Sequence, residues 1–335
     1  MRGWPERNTD LRGSKARILL LGSVIAVAVG VTCGQTPKRA AQVDPNKYAV
    51  IINGPGGEAV YTKQFEEWTG QLKSVLSDRY GFDAKNITVP RATAEEVKGV
   101  FGTLKTQLDA NNVFFLFLIG HGSFDGKESK FNLIGPDLSA AEYNALLSSL
   151  PTKRVVVFNM SSASGEFIKS LAAKGRIVVT ATRNGQETNA TRFTGFFISA
   201  LNATDADTDQ DGHTSVLEAF VYANRLTGDF YKRAGRLATE HALIDDNGDG
   251  VGHEKLEAGE GLLARATYLD SLTVDEAAAT AATGRLLKER TRLEGEIEQL
   301  IARKGITPEA EYEATLERLF IELAKVNRSI KQAGS

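Results

Sequence analysis

The sequence predicts an α/β fold: a three-layer α/β/α sandwich around a mostly parallel sheet, followed by a C-terminal α-helical hairpin. Three observations predict it. Strand-like and helix-like segments alternate from residue 48 to residue 202, the pattern of a parallel sheet with helices on both faces. The strand-like segments are continuous apolar runs, as strands covered on both faces require. Beyond residue 275 the chain turns to Ala, Leu, Glu, Lys and Arg with apolar residues at heptad spacing.

The elements follow in order. Strand 48–53 precedes a helix over 61–80, and a strand near 87–90 precedes a helix over 93–110. The run VFFLFLI (113–119) is a buried strand that stops on Gly120-His121-Gly122. A helix near 139–149 leads to the run RVVVFNM (154–160), a helix over 165–174, the strand RIVVTAT (176–182) and a helix over 191–202. The segment GPGG (54–57) follows a strand but lacks dinucleotide-binding spacing, so it reads as a surface loop.

Open parallel sheets carry their sites at the C-terminal ends of the strands. Three such ends bring chemistry together here. The first ends on His121, one of four histidines, with glycines on either side that let the backbone turn. The second empties into Ser161-Ser162-Ala163-Ser164-Gly165. Small hydroxyl residues at a strand-to-helix turn cap the helix, or present a nucleophile beside N–H groups that stabilise an oxyanion. The third ends at Arg183.

An apolar strand with His-Gly, then an apolar strand with x-x-Cys-x-Ser-Gly, is the layout of the caspase-like cysteine peptidases. The chain resembles that family, and its legumain-like branch most. KYAVIINGPGGEAVYTKQFEEWTGQL resembles the branch's first strand, loop and helix, and FLIGHGS its histidine motif. The resemblance spans about residues 47 to 225. It implies a caspase-like fold, a peptide or protein as substrate or ligand, His121 as base, Gly122 in the oxyanion region, and Arg183 and Glu187 lining a substrate pocket.

The chain departs from the family at the nucleophile, where Ser162 stands in the cysteine position. The only cysteine is Cys33. A histidine readily yields a thiolate from cysteine but no comparable anion from a hydroxyl. No motif supplies a third orienting carboxylate; Asp125 is the nearest in sequence. Two readings stay open: a peptidase fold without catalysis, and a serine variant with His121 as base.

Residues 207–218, DTDQDGHTSVLE, match the twelve-residue EF-hand loop. Asp207, Asp209 and Asp211 take positions one, three and five. Gly212 makes the turn at six and His213 offers its carbonyl at seven. Ser215 sits at nine, and Glu218 closes the loop at twelve. Alternate oxygen ligands of this kind suit Ca²⁺. A second acidic loop, 245–254, places Asp245, Asn247 and Asp249 at one, three and five, with Gly250 at six and Val251 at seven. Leu256 stands at twelve, so Glu254 or Glu257 would have to close it. A turn-rich surface loop is the rival reading.

Residues 1–17 carry five Lys and Arg side chains, and 18–33 form an apolar core of signal-peptide length, short for a membrane span. The predicted organisation is a leader over 1–33, a linker over 34–46, a peptidase-like domain over 47–270 and a helical hairpin over 275–333. Lipidation at Cys33, ordinary cleavage, and retention as a membrane anchor all remain open. With calcium loops, the leader favours an extracytoplasmic location. One cysteine excludes an intramolecular disulfide. A net charge of −2 with dispersed basic residues gives no footprint for nucleic acid.

In the C-terminal region Leu286, Leu293, Ile297 and Leu300 form one seam. Tyr312, Leu316, Leu319, Leu323, Val326 and Ile330 form another. Lys304-Gly305-Ile306-Thr307-Pro308 stops one helix and starts the next. The predicted hairpin either packs on itself or serves as a partner or oligomer surface. A calcium-binding interaction protein is therefore a third functional class.

Overall fold

The computed structural model describes residues 43–208, 213–255, 261–269 and 308–333, and eight single residues between 286 and 300. The leader, Asp209, Asp211, Gly212 and most of the first hairpin arm lie outside the described residues.

A six-stranded sheet runs in the order β2-β1-β3-β7-β8-β9. Its strands are β1 (Lys47–Asn53), β2 (Ile87–Thr88), β3 (Val113–Ile119), β7 (Arg154–Asn159), β8 (Arg176–Thr180) and β9 (Leu243–Asp245). All neighbours pair parallel except β8 with β9, which is antiparallel. β1 and β3 pair residue for residue from Lys47↔Val113 to Asn53↔Ile119. β3 and β7 align Phe117 with Phe158 and Leu118 with Asn159. The polar ends of the three central strands therefore reach one edge together.

The period of two along each strand divides the core. Ala49, Ile51, Phe115, Phe117, Val156, Phe158, Ile177 and Val179 face one side. There they meet helices α1 (Ala59–Asp78), α5 (Phe193–Asn202) and α6 (Val216–Arg233). Val50, Ile52, Phe114, Leu116, Leu118, Val157 and Val178 face the other. They are covered by α2 (Ala94–Gln107), α3 (Ala140–Ser148) and α4 (Phe167–Leu171). Every residue of β3 is buried, as its unbroken apolar run requires. The three-layer sandwich is the architecture that the alternating pattern predicts.

Local signals start the helices. Thr93 Oγ1 accepts the Glu96 N–H at the start of α2. Ser139 and Glu142 form a reciprocal capping box on α3, and Ser215 and Glu218 form one on α6.

Two features were not predicted. A separate antiparallel sheet of β4 (Gly122–Phe124), β5 (Ser129–Phe131) and β6 (Leu138–Ser139) follows β3. Its strands of two or three residues are too short to show a period. Strand β9 extends the main sheet at its antiparallel edge. Asp44 at the end of the expected linker is itself buried, and its N–H donates to Gly81 O at 2.7 Å.

Lys47 is fully buried at the start of β1. Its ammonium donates to Leu269 O at 2.8 Å and Tyr80 O at 3.3 Å, and lies 5.3 Å from the Phe82 ring centre. Carbonyl acceptors and a ring face compensate a charge that would otherwise be very costly to bury. The short helix α7 (Leu262–Ala266) precedes this point.

Helix α8 (Glu309–Ala333) carries the second seam. Leu316, Leu319, Leu323 and Val326 pack with Leu293, Ile297 and Leu300 from the segment before it. Arg290 lies over the Tyr268 ring at 5.6 Å. Among the described residues no helix is long and apolar enough to cross a membrane.

Candidate functional site

His121 sits just beyond β3, half-buried. Its Nε2 lies 3.2 Å from Gly56 O. A carbonyl only accepts, so Nε2 carries the hydrogen, and the neutral ring keeps its lone pair on Nδ1. The edges of Tyr61 and Phe65 pack the ring, with centroids at 5.2 and 5.1 Å. The group that orients the imidazole is thus a backbone carbonyl, 65 residues away in sequence.

That carbonyl belongs to the segment read as a surface loop, and the structure corrects the reading. Gly54 and Gly56 are buried. A Cβ on Gly56 would lie 2.2 Å from Thr62 N, so only glycine lets the loop close onto the first turn of α1 and reach His121.

Ser162 lies beside His121's neighbour. Its side chain is buried, at 1% exposure. Ser162 Oγ accepts the Gly122 N–H at 3.2 Å and donates to Gly122 O at 3.3 Å. Among the described residues it makes no hydrogen bond to His121. The Gly122 N–H, predicted in the oxyanion region, is thereby taken by the serine itself. A Cβ on Gly122 would fall 2.4 Å from Ser162 O, 2.9 Å from Ser161 Oγ and 3.0 Å from Lys130 O. Glycine is what permits β4 to press against the 161–162 turn.

Buried polar bonds hold this turn. Asn159 Oδ1 accepts from Ser161 N and Oγ at 3.2 and 2.7 Å. Ser164 Oγ accepts the N–H groups of Ala181 and Thr182, both at 3.2 Å. Ala163 has φ +51°, the left-handed region, which costs a non-glycine residue roughly 1–2 kcal/mol. Two bonds sustain it: its N–H donates to Glu187 O at 2.8 Å, and its carbonyl accepts Ser129 Oγ at 2.9 Å.

Asp125 does not orient His121. Its Oδ1 accepts the N–H groups of Glu128 and Lys127 at 2.8 and 2.9 Å and closes the β4–β5 turn. Those two donors hold its carboxyl below the usual range.

Arg183 and Glu187 come together with a residue that sequence reasoning missed. Glu187 Oε2 accepts the backbone N–H of Arg183 at 2.9 Å and of His241 at 3.0 Å. Glu187 Oε1 lies 2.5 Å from His241 Nδ1 and 3.6 Å from Arg183 Nη2. Only tertiary folding makes the 54-residue link between Glu187 and His241, so no local spacing could have revealed it. The neighbouring Glu240 accepts N–H bonds from Arg192 and Phe193 at the start of α5 and the Tyr231 hydroxyl. Burial raises its carboxyl above the usual range despite these donors.

The first acidic loop is described at both ends. Glu218 Oε1 accepts Thr208 N–H at 2.8 Å and Thr208 Oγ1 at 3.0 Å, while Oε2 accepts Ser215 N–H at 2.9 Å. The His213 ring meets Tyr268 edge-on at 5.8 Å. In the second loop Asp245 accepts the N–H groups of Gly248 and Gly250, at 2.8 and 3.0 Å. Asp249 accepts from Val251 at 2.8 Å. Burial, with the Asp249 and Asp246 carboxylates close by, raises the Asp245 carboxyl. Asn224 Nδ2 donates to the Glu254 carbonyl at 3.2 Å. Among the described residues no three His, Cys, Asp or Glu side chains gather as a metal-ligand group.

No family model matches the chain, and no curated protein sequence matches it. Solved structures similar to it include the Drosophila initiator caspase Dronc, at 11% identity and a TM-score of 0.43, over 63% of this chain and 83% of that one. Caspase-1 from Spodoptera frugiperda is similar at 11% identity and a TM-score of 0.39, over 64% of this chain and 91% of that one.

Proposed function

We propose that this chain is a peptidase-like protein of the caspase-like type, nearest the legumain-like branch, disarmed at position 162. It holds a peptide or protein segment at the sheet edge without cutting it. The observation that carries this reading is the closure of Ser162 Oγ onto both backbone groups of Gly122. A hydroxyl bonded this way is neither deprotonated by His121 nor open to an acyl group.

Ser162→Cys tests it. The expected result is no fluorophosphonate labelling and no peptide turnover in the wild type. The variant should react with iodoacetamide and gain turnover, because the Gly122 N–H then meets a group that ionises readily, with the His121 imidazole one residue away in the chain. Wild-type turnover lost in Ser162→Ala would sink the proposal in favour of a serine peptidase.

The reading includes Ca²⁺ at 207–218. Asp207, Asp209, Asp211, the His213 carbonyl, Ser215 and Glu218 would hold it. In support, the Glu218 carboxylate already lies against Thr208, which brings the two ends of the loop together. The ion would stiffen the link between α5 and α6. At a hundredfold excess over Kd, calcium should stabilise the fold by about 2.7 kcal/mol. The check is the melting temperature in millimolar calcium against EGTA, for wild type and Asp209→Ala. Identical melting of the wild type in both buffers would remove calcium from the account. The leader and the calcium loops together favour an extracytoplasmic location.

A further inference from the structure

Helix α8 carries a second face that its hairpin does not use. Glu313, Glu317, Phe320, Ile321, Ala324 and Arg328 recur at steps of three and four, so they form one stripe along the helix. All six are exposed. The stripe lies roughly 130° round the helix from the seam of Leu316, Leu319, Leu323 and Val326, which packs against the segment before it. Phe320 and Ile321, at 50% and 48% exposure, are two large apolar side chains at the centre of a charged stripe.

The charges of the stripe are divided by sign. Glu313 and Glu317 lie on the N-terminal side of Phe320, and Arg328 lies on the C-terminal side of Ile321. Among the described residues none of the three forms an ion pair, whereas Arg318 and Glu322, on another side of the helix, pair at 3.3 Å. The stripe is symmetric about the point between Phe320 and Ile321. Glu313 precedes Phe320 by seven positions, and Arg328 follows Ile321 by seven. Glu317 precedes Phe320 by three, and Ala324 follows Ile321 by three.

We infer that α8 pairs antiparallel with the α8 of a second copy of this chain, about a two-fold axis at Phe320 and Ile321. A two-fold axis makes each contact occur twice. Phe320 of one copy meets Ile321 of the other, Glu313 faces Arg328, and Glu317 faces the small Ala324. A parallel pair would set Glu313 against Glu313 and Arg328 against Arg328, which is repulsive. The order of charge is its own complement when reversed, and that selects a second copy over an unlike partner. One helix face is smaller than a standard protein interface, so the dimer is weak and depends on concentration. It does not depend on chemistry at Ser162.

Sedimentation velocity on the full-length protein, from about 5 to about 500 μM, tests it. The wild type should pass from monomer towards dimer across that range. Phe320→Ser should weaken the dimer by about tenfold, since the apolar centre is lost from both copies. Glu313→Arg and Arg328→Glu should each weaken it by about tenfold, because two attractive pairs become repulsive. The double variant Glu313→Arg/Arg328→Glu should recover the wild-type dissociation constant, as the pairs re-form with their signs exchanged. Recovery requires a folded chain, so it decides the matter even where a single variant folds poorly. A wild type that stays monomeric would overturn the proposal and leave the stripe to an unlike partner or a lipid surface. A dimer unchanged in Phe320→Ser would overturn it by placing the association elsewhere in the chain. A double variant no tighter than the single ones would overturn the antiparallel pairing.

Discussion

Phe158→Ala is expected to lower the free energy of unfolding by about 3–5 kcal/mol, the range for large-to-small changes in a core that cannot collapse. Phe158 is fully buried near the C-terminal end of β7. Its ring stacks on Phe117 at 5.1 Å and meets Phe197 of α5 at 4.5 Å. The truncation opens a void between sheet and helix, and neighbouring rings fixed on β3 and α5 cannot fill it. The loss should also reach the site, because Asn159 follows directly and positions Ser161. Urea unfolding reads the effect as a lower midpoint with an unchanged slope. A loss under about 1 kcal/mol would show that this interface repacks freely.

Gly122→Ala carries the next largest effect, about 3 kcal/mol, at the upper end of the cost of overpacking. The added Cβ would meet the Ser162 and Lys130 carbonyls, which belong to backbone held by the turn and by β5. Neither gives way as a side chain would. β4 must move off the 161–162 turn, and Ser162 loses its two bonds to Gly122. Two readouts are expected together: a lower urea midpoint, and greater reactivity of a cysteine placed at 162 in the same background. Full retention of stability would mean that β4 does not press on the turn in solution.

Legibility from sequence followed burial. The strands of the main sheet with unbroken apolar runs, β1, β3, β7 and β8, were readable with edges off by one or two residues. Their composition is dictated by cover on both faces. The helix read near 139–149 is α3, Ala140–Ser148. The three strands of the small sheet were not readable, because GSF and SKF contain too few residues to show alternation. The candidate site was half legible. His121, Ser162 and Gly122 announce themselves by ending apolar runs. The Gly56 carbonyl that sets the His121 tautomer leaves no trace in residue identity, since every residue has one. Asp125 is near enough to His121 in sequence to be considered as an orienting group, but two local N–H groups claim it first. His241 was missed because its partner lies on another segment.

The buried Lys47 has a consequence for biosynthesis. One of its carbonyl acceptors, Leu269, lies 222 residues downstream. A growing chain elongates at about 5–20 residues per second, so for roughly 10 to 45 s after β1 emerges its first residue holds an ammonium without one of its native acceptors. The central sheet cannot lock until that late segment arrives. A nascent chain stalled before residue 269 should therefore remain open to protease and to chaperones, and one released beyond it should not.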